Sequence, residues 1–201
     1  MASQPRVTQT RGSYAKTEQF RHDVLDAALR IVAEAGFDAT TLQDVAEGVG
    51  RSKAGVLHHF GSLDNLMLEI VKHRDEVNRR TFPTKDGAEF ETLLTLVAHN
   101  ATVPGLIGLF SVVSALAATD ASQSRRRIYF SELYTRNRQV WAQRIERAQA
   151  AGAIRADLDP HTVAVVILAT LDGLQVQWLL DNDIDMLESL RTLIRMLSPT
   201  P

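Results

Sequence analysis

Residues 41–60 of this 201-residue chain read TLQDVAEGVGRSKAGVLHHF, from Thr41 to Phe60, and they decide the fold of its first part. Apolar residues stand there at helical spacing on one stripe: Leu42, Val45, Ala46 and Val49. Thr41 can cap this helix, because its hydroxyl can accept a hydrogen bond from an otherwise unpaired amide. Gly50 predicts a turn, because glycine reaches positive φ without a Cβ penalty.

A second short helix follows the turn. Ser52 is placed to cap it, and Val56 and Phe60 form its apolar side. Ala46 on the first helix is small enough to allow a close, steep crossing between the two. This pattern is typical of a helix-turn-helix, whose second helix lies in the major groove of DNA. Spacing alone also fits any short helical hairpin, so that alternative stays open on these residues.

The composition is that of an ordinary soluble globular protein. A chain of 201 residues with 45% hydrophobic side chains can bury a substantial core. Cysteine is absent, which excludes a disulfide framework and a thiolate metal site. The N-terminal sequence lacks the apolar segment of a signal peptide, and the longest apolar run, 163–171, is shorter than a membrane span. We therefore expect a cytoplasmic protein without a membrane partner.

The distribution of charge is more informative than its total. A net charge of −2 excludes a general nucleic-acid coat protein. Residues 1–16 and 49–60, however, carry basic side chains and no acid: Arg6, Arg11, Lys16, Arg51, Lys53, His58 and His59. A small positive face on a nearly neutral protein suits operator binding by two copies, although charged stretches are often simply solvated surface.

Helical periodicity continues along the chain, and we predict an all-α fold of about nine helices. The predicted helices span residues 17–35, the pair within 41–60, then about 63–80, 90–100, 104–118, 125–151, 160–180 and from after Asp183 to before Ser198. The inward stripes are Phe20, Val24, Ala27, Ala28, Ile31 and Val32 in the first helix and Leu66, Ile70 and Val77 in the fourth. Pro83 and Gly87 break the chain between two regions.

The whole arrangement resembles the TetR family of transcriptional regulators, and the N-terminal part carries this resemblance best. The stretch from Leu25 to Leu66, LDAALRIVAEAGFDATTLQDVAEGVGRSKAGVLHHFGSLDNL, is similar to the helix-turn-helix signature of that family. Matching positions are Phe37, Ala39, Thr40, Thr41, Val45, Ala46, Gly50, Ser52, Lys53, His58, His59 and Phe60. Residues 152–160 and 171–174 show a weaker likeness to the family's later helices.

The resemblance implies three regions. A basic, flexible arm spans 1–16. An N-terminal three-helix DNA-binding domain spans 17–80, with the helix-turn-helix at 41–60 and a linking fourth helix. A larger helical effector-binding and dimerisation domain spans 81–201.

DNA contacts are implied at the start of the second helix and along the third: Thr41, Arg51, Ser52, Lys53, Gly55, His58 and His59. The hydroxyls would bind phosphates, and Lys53 and the histidines phosphates or base edges. Two departures concern Leu57 and Leu63, which stand where the family usually has a phosphate-binding tyrosine and lysine. Gly55 replaces a side chain that often reads a base. Arg51, at a position usually apolar, can supply compensating charge or a guanine contact.

The eighth predicted helix is apolar on nearly every side, and the ninth has one apolar stripe. Both would pair with their copies in an intersubunit four-helix bundle, through Val166, Leu174, Trp178, Met186, Leu190, Leu193, Ile194 and Leu197. The alternative is that their own chain covers both helices. We favour the dimer, because a symmetric operator needs two recognition helices about 34 Å apart.

The fourth to seventh helices are expected, from the same resemblance, to hold an effector pocket. Candidate lining residues are Phe90, Leu94, His99, Leu106, Phe110, Ser114, Tyr134 and Trp141. Polar candidates there are few and neutral, namely His99, Asn100, Ser111 and Ser114, which predicts an uncharged or weakly polar, mostly apolar ligand. Stripes of aromatic and aliphatic residues are also typical of a solid core.

The sequence therefore predicts a repressor that binds a palindromic operator as a dimer and is released by a small effector. One alternative is a helix-turn-helix regulator controlled by a protein partner, which a fully packed effector region would favour over an open cavity. An enzyme is not expected, because the chain has no phosphate loop, GxSxG or HExxH motif. His22 and Asp26 lie four residues apart, but a metal site needs three or more converging ligands, so no metal or cofactor is expected.

Overall fold

The computed structural model describes residues 9–83 and 87–199, which form nine helices and no strand. The helices are α1 (Gln9–Ala35), α2 (Leu42–Gly48), α3 (Lys53–Phe60), α4 (Leu63–Thr81), α5 (Glu89–Ala101), α6 (Leu106–Thr119), α7 (Arg125–Ala150), α8 (Pro160–Leu180) and α9 (Met186–Leu197). The predicted all-α class is confirmed. The chain divides within α4 into two compact units, one ending at Ile70 and the other beginning at Val71.

The start of α1 differs from the prediction. This helix begins at Gln9 rather than Thr17, so residues 9–16 of the predicted flexible arm are helical. Residues 1–8, including Arg6, lie outside the described ranges. The prediction placed the start of the helix beside its first apolar stripe, because apolar periodicity gives no sign of helical backbone that lies ahead of the stripe.

The start of α6 also differs. Pro104 was expected to open this helix, but α6 begins at Leu106. Gly105 immediately before it has a φ of 73°, in the left-handed region. A right-handed helix cannot include that conformation, so the turn is completed before the helix begins.

The first unit packs α1 against α2 and α2 against α3. Its core contains side chains with no exposed surface: Val24, Ala28, Val45, Ala46, Val56 and Leu66. The predicted inward stripe of α1 is extended by Leu25, which is 2% exposed. Burying each larger aliphatic side chain stabilises the unit by roughly 1.5–3 kcal/mol relative to exposure.

Gly50 makes the predicted turn between α2 and α3. Its φ is 62°, and a Cβ placed there would meet nothing within 4 Å. The backbone conformation, rather than a lack of space, therefore requires glycine at this position.

The second unit is built around α8, which packs along α7 and also against α6 and α9. One face of α8, including Val163, Ile167 and Leu174, joins the buried core with residues of α5, α7 and α9. The opposite face of α8 lies on the surface of this chain.

The inward line of α4 differs from the predicted apolar stripe. Val77 was predicted to face the core but is 38% exposed, whereas Asn78 is 9% exposed. The side-chain amide of Asn78 donates a hydrogen bond of 3.2 Å to Asn100, which is also buried. A search for apolar periodicity misses this line, because polar residues continue it beyond Ile70.

By length and composition α8 could span a bilayer, with a mean hydropathy of 1.7 over 18 residues. The expectation from sequence considered only the uninterrupted run 163–171, whereas the whole helix has one charged residue, Asp172. The core helices of soluble proteins can be equally long and apolar. In α8, 33% of this 18-residue segment is buried within the chain.

Candidate DNA-binding face, effector cavity and dimer surface

A basic, solvent-exposed face is centred on α3. Most residues predicted to contact DNA are exposed there: Arg51, Ser52, Lys53, His58 and His59. Val56 and Phe60 lie on the other side of the helix, with 0% and 8% of their surface exposed. The sequence pattern therefore separates the packing side of α3 from its solvent side.

One aromatic ring of α1 supports two residues of this face. The ring centroid of Phe20 lies 4.7 Å from that of His59 and 5.7 Å from the guanidinium carbon of Arg51. The contact with Arg51 is a cation–π interaction, which restricts an otherwise long and mobile side chain. The sequence placed Phe20 in the core but gave no sign of these contacts, because they depend on where α1 passes the turn.

The start of α2 is closed by its own hydrogen bonds. The Thr41 hydroxyl accepts the Asp44 N–H at 3.2 Å and donates to the Asp44 carboxylate at 2.6 Å. The same carboxylate accepts the Thr41 N–H at 3.0 Å, which completes a capping box. The hydrogen bonds from Thr41 lower the pKa of Asp44, so this carboxylate stays charged. A phosphate approaching Thr41 would compete with it for the same donors.

The start of α3 has a different charge. The Ser52 hydroxyl accepts the Gly55 N–H at 3.1 Å, and the first turn contains no acidic residue. The positive end of the helix dipole therefore has no carboxylate of its own there, and such ends bind phosphates. A Cβ at Gly55 would lie 3.4 Å from the Ser52 hydroxyl, so glycine leaves room around this cap.

The second unit contains a cavity of about 340 Å³, lined by residues of α4 to α8 and by Phe82. This volume is within the range of small-molecule sites. Three of the predicted pocket residues line it: Phe110, Tyr134 and Trp141. Aromatic walls were thus predictable on α6 and α7.

The other predicted pocket residues do not line this cavity: Phe90, Leu94, His99, Leu106 and Ser114. Leu94 and Leu106 are core side chains, with 7% and 5% of their surface exposed. The Ser114 hydroxyl donates to a carbonyl of its own helix, that of Ser111, at 2.9 Å. The prediction treated apolar and polar residues of α5 and α6 alike as walls, but Leu94 and Leu106 fill the core and His99 is exposed.

Charged side chains line the cavity, which corrects the expectation of few, neutral polar groups. The Asp75 carboxylate accepts a hydrogen bond from Arg136 at 2.8 Å and lies 3.8 Å from Arg79. Tyr134 donates to the Asp172 carboxylate at 2.6 Å. Burial raises the pKa of Asp172, and burial with this hydrogen bond raises the pKa of Tyr134.

Two residues that line the cavity each have a buried polar atom without a hydrogen-bond partner among the described residues: Arg74 at Nε and Gln175 at Oε1. Gln175 is 4% exposed, and the Arg74 guanidinium carbon lies 4.5 Å from the ring centroid of Phe110. Burial lowers the pKa of Arg74, opposed by the nearby carboxylates. A buried group left unsatisfied costs about 1–3 kcal/mol, so this part of the cavity suits a further polar partner.

The predicted dimer residues divide into two sets. Leu174, Met186, Leu190 and Leu197 are at most 9% exposed and belong to the core of their own chain, which leaves little of their surface for a partner subunit. Trp178, Leu193 and Ile194 are partly buried against that core, and Val166 is 41% exposed. The apolar pattern identified both helices but not which side of each faces outward.

The exposed face of α8 forms a different stripe. Its members recur every three or four residues: Thr162, Val166, Ala169, Gly173, Val176 and Leu180. None is charged, and the exposed fraction rises to 85% at Leu180. A Cβ at Gly173 would meet nothing within 4 Å, so the fold of a single chain does not require glycine there. Below, these six residues are called the α8 stripe.

Potential metal ligands do not converge in the described ranges. No group of three or more histidine, aspartate or glutamate side chains there could hold a metal ion. His22 and Asp26 on α1 do not belong to such a group among the described residues.

Two family models match the two parts of the chain. Residues 24–70 match bacterial regulatory proteins of the tetR family, and residues 109–197 match the C-terminal domain of BetI-type transcriptional repressors. The chain belongs to the TetR family of transcriptional regulators. Its first match ends where the first compact unit ends, at Ile70.

Curated TetR-type relatives span most of the chain. The transcriptional repressor AcnR of Corynebacterium diphtheriae is 25% identical over 174 residues, covering 87% of this chain and 88% of the relative. The repressor KstR2 of Rhodococcus jostii is 29% identical over 173 residues, covering 79% and 78%. These relatives confirm that the chain is a DNA-binding transcriptional repressor of this family and not an enzyme.

A solved structure has the same fold. A transcriptional regulator from Saccharomonospora viridis, determined in complex with choline, is 25% identical with a TM-score of 0.69. The match covers 89% of this chain and 95% of that one.

Proposed function

We propose that this TetR-family protein binds a palindromic operator in the cytoplasm as a homodimer and is released from it by a small effector. The exposed basic face of α3 carries the proposal for DNA. Lys53 and the acid-free start of α3 hold phosphates, and Arg51 reads a guanine from its position beside Phe20. Thr41 contributes less, because Asp44 already occupies its hydrogen bonds.

Salt titrations of operator binding test the DNA face. Replacing Lys53 by Ala should weaken binding to all sequences and reduce the slope of log K against log salt by about one. Arg191→Ala on α9 removes the same charge from the second unit and should leave the slope unchanged. An unchanged slope for Lys53→Ala would remove this residue from the phosphate contacts.

Arg51→Ala tests base reading separately. Loss of a guanine contact should weaken operator binding more than binding to unrelated DNA, by about 1–3 kcal/mol. Equal losses on both kinds of DNA would leave Arg51 as a source of charge only.

The α8 stripe supports the homodimer. It lacks charge, is apolar apart from Thr162 and contains small residues at its centre, which allows two helices to approach closely. A second copy of the chain would cover the exposed apolar residues of α8, so no membrane is needed to explain them. Residues of α9 then contribute mainly by supporting α8 from within the chain.

Analytical ultracentrifugation of Gly173→Leu tests this surface. A leucine there meets nothing within its own chain, so the subunit should fold normally but sediment as a monomer. Ala150→Leu adds a leucine at an exposed position of α7, outside the stripe, and should remain dimeric. A dimer formed by Gly173→Leu would contradict the proposed interface.

The open cavity supports a small-molecule effector over control by a protein partner. Its lining includes buried groups without partners, which a fully packed domain would not leave. A ligand can shift operator binding only by the difference between its affinities for the DNA-bound and released conformers.

A further inference from the structure

The cavity leaves two groups of opposite hydrogen-bonding character unmatched, and they lie on different helices. Arg74 of α4 offers an Nε–H donor on a cation, and Gln175 of α8 offers a carbonyl acceptor. Both line the same cavity. A ligand that satisfies both needs an acceptor, best an anionic one, and a separate donor.

The pairing of the other charges indicates the sign of the ligand. Asp75 accepts from Arg136 at 2.8 Å, and Asp172 accepts from Tyr134 at 2.6 Å. Each carboxylate thus has a donor of its own, whereas Arg74 contacts the ring of Phe110 and is attracted by these carboxylates without a direct hydrogen bond at Nε. A monoanion complements Arg74.

The aromatic walls disfavour a cationic ligand. The guanidinium carbon of Arg74 lies 4.5 Å from the ring centroid of Phe110, and that of Arg144 lies 4.8 Å from the ring centroid of Trp141. A quaternary ammonium ion binds by placing its charge over such rings. Here these two rings already carry cations of the chain, which would repel a third.

We propose that the effector is a small hydroxycarboxylate, whose carboxylate pairs with Arg74 and whose hydroxyl donates to the carbonyl of Gln175. This inference rests on the proposed function, because it specifies the effector of that cavity. The ligand links α4 to α8, and the opposite face of α8 carries the α8 stripe. The same α4 begins at Leu63 in the DNA-binding unit, so the link restrains a helix that belongs to both units.

Matched probes test the chemistry on the full-length protein. Phenyllactate carries both groups, phenylpropionate lacks the hydroxyl, phenyllactamide lacks the charge, and choline is a cation. Calorimetry should show phenyllactate binding about tenfold or more tightly than the amide, and more tightly than phenylpropionate. Choline should bind more weakly than either carboxylate.

Two substitutions assign the contacts. Arg74→Met should abolish the preference for phenyllactate over its amide, and Arg74→Lys should restore part of it. Gln175→Leu should abolish the preference for phenyllactate over phenylpropionate while retaining the preference for the acid over the amide. Arg79→Met, which removes a cation paired with Asp75 at the cavity wall, should retain both preferences.

Three outcomes would overturn the inference: equal binding of acid and amide, tighter binding of choline, or no binding of either carboxylate at millimolar concentration. Persistence of the acid preference in Arg74→Met would overturn it as well. Operator binding is measured separately, without ligand and with phenyllactate. If phenyllactate binds as expected but operator affinity does not change, the proposed ligand chemistry is supported. The proposal that the ligand releases the protein from its operator is then wrong. If ligand-free protein binds no operator, the proposed function fails independently of the cavity.

Discussion

The helix-turn-helix and the cavity differ in whether their polar groups have hydrogen-bond partners within the chain. At the starts of α2 and α3, Thr41 and Ser52 each accept an amide hydrogen bond from three residues along the chain. In the cavity, Arg74 Nε and Gln175 Oε1 are buried without a hydrogen-bond partner among the described residues. The DNA-binding unit is thus complete by itself and offers a finished surface. The cavity has a cost in stability that a ligand can remove.

The largest change in stability is expected from enlarging a side chain in the packed core between α2 and α3. Ala46 has no exposed surface, so Ala46→Leu should overpack the crossing of α2 and α3 and cost about 1–3 kcal/mol. Leu96→Phe enlarges a residue that lines the cavity and should cost less, because open volume receives the ring. Chemical denaturation measures both. An equal cost for the two variants would mean that the cavity is no more accommodating than the core.

An increase in stability, rather than a loss, is expected when a buried polar group without a hydrogen-bond partner is removed from the cavity wall. Gln175→Leu replaces a buried amide with an apolar side chain of similar size and should raise the unfolding free energy by about 1–2 kcal/mol. Differential scanning calorimetry without ligand checks the change. A lower melting temperature would show that Gln175 makes a net favourable contribution, and the contrast between the two regions would disappear.

The same contrast explains what the sequence predicts well. Thr41, Gly50, Ser52 and Val56 act within a few residues of their partners, so spacing alone predicts their caps, turn and burial. The limits of α8 were also predicted correctly, because Pro160 and Asp159 mark its start locally.

The cavity could be predicted only in part, because its members come from five helices far apart in sequence. Phe110, Tyr134 and Trp141 were predicted as walls because the family resemblance implies a pocket among the fourth to seventh helices. Arg74 and Gln175 were not predicted, since a charged or amide side chain is ordinarily assigned to the surface. An inward line on α4 that continues from Ile70 through Arg74 to Asn78 is the signal that a search for apolar residues overlooks.

A moderate effect is expected from opening the cap of α3. Ser52→Ala removes the acceptor for the Gly55 N–H and should cost about 1 kcal/mol of stability. Ser124→Ala removes the corresponding cap of α7 and should destabilise the protein similarly. Operator binding, measured where both variants are folded, should weaken only for Ser52→Ala. Similar operator affinities would exclude a role for this cap in phosphate binding.

The smallest effect concerns the capping box of α2 and depends on pH. Hydrogen bonds from Thr41 lower the folded-state pKa of Asp44 below its unfolded value of about 3.9. The contribution of the charged carboxylate is therefore fully present above the unfolded pKa and is lost as the pH falls through the folded pKa. Asp44→Asn should be less stable than the natural chain near neutral pH, and this difference should shrink as acid protonates the carboxylate.

Urea denaturation of both proteins across that acidic range measures the difference, and Thr41→Val should reduce it by removing the hydroxyl that holds the carboxylate. A constant difference at all pH values would mean that the charge of Asp44 does not stabilise the cap.

At neutral pH the same Asp44→Asn variant should bind operator DNA more tightly, because it removes a negative charge beside the expected phosphate position at Thr41. Weaker binding would instead show that the intact Thr41–Asp44 capping box positions α2 on DNA. The internal hydrogen bonds of the first unit would then contribute to DNA recognition.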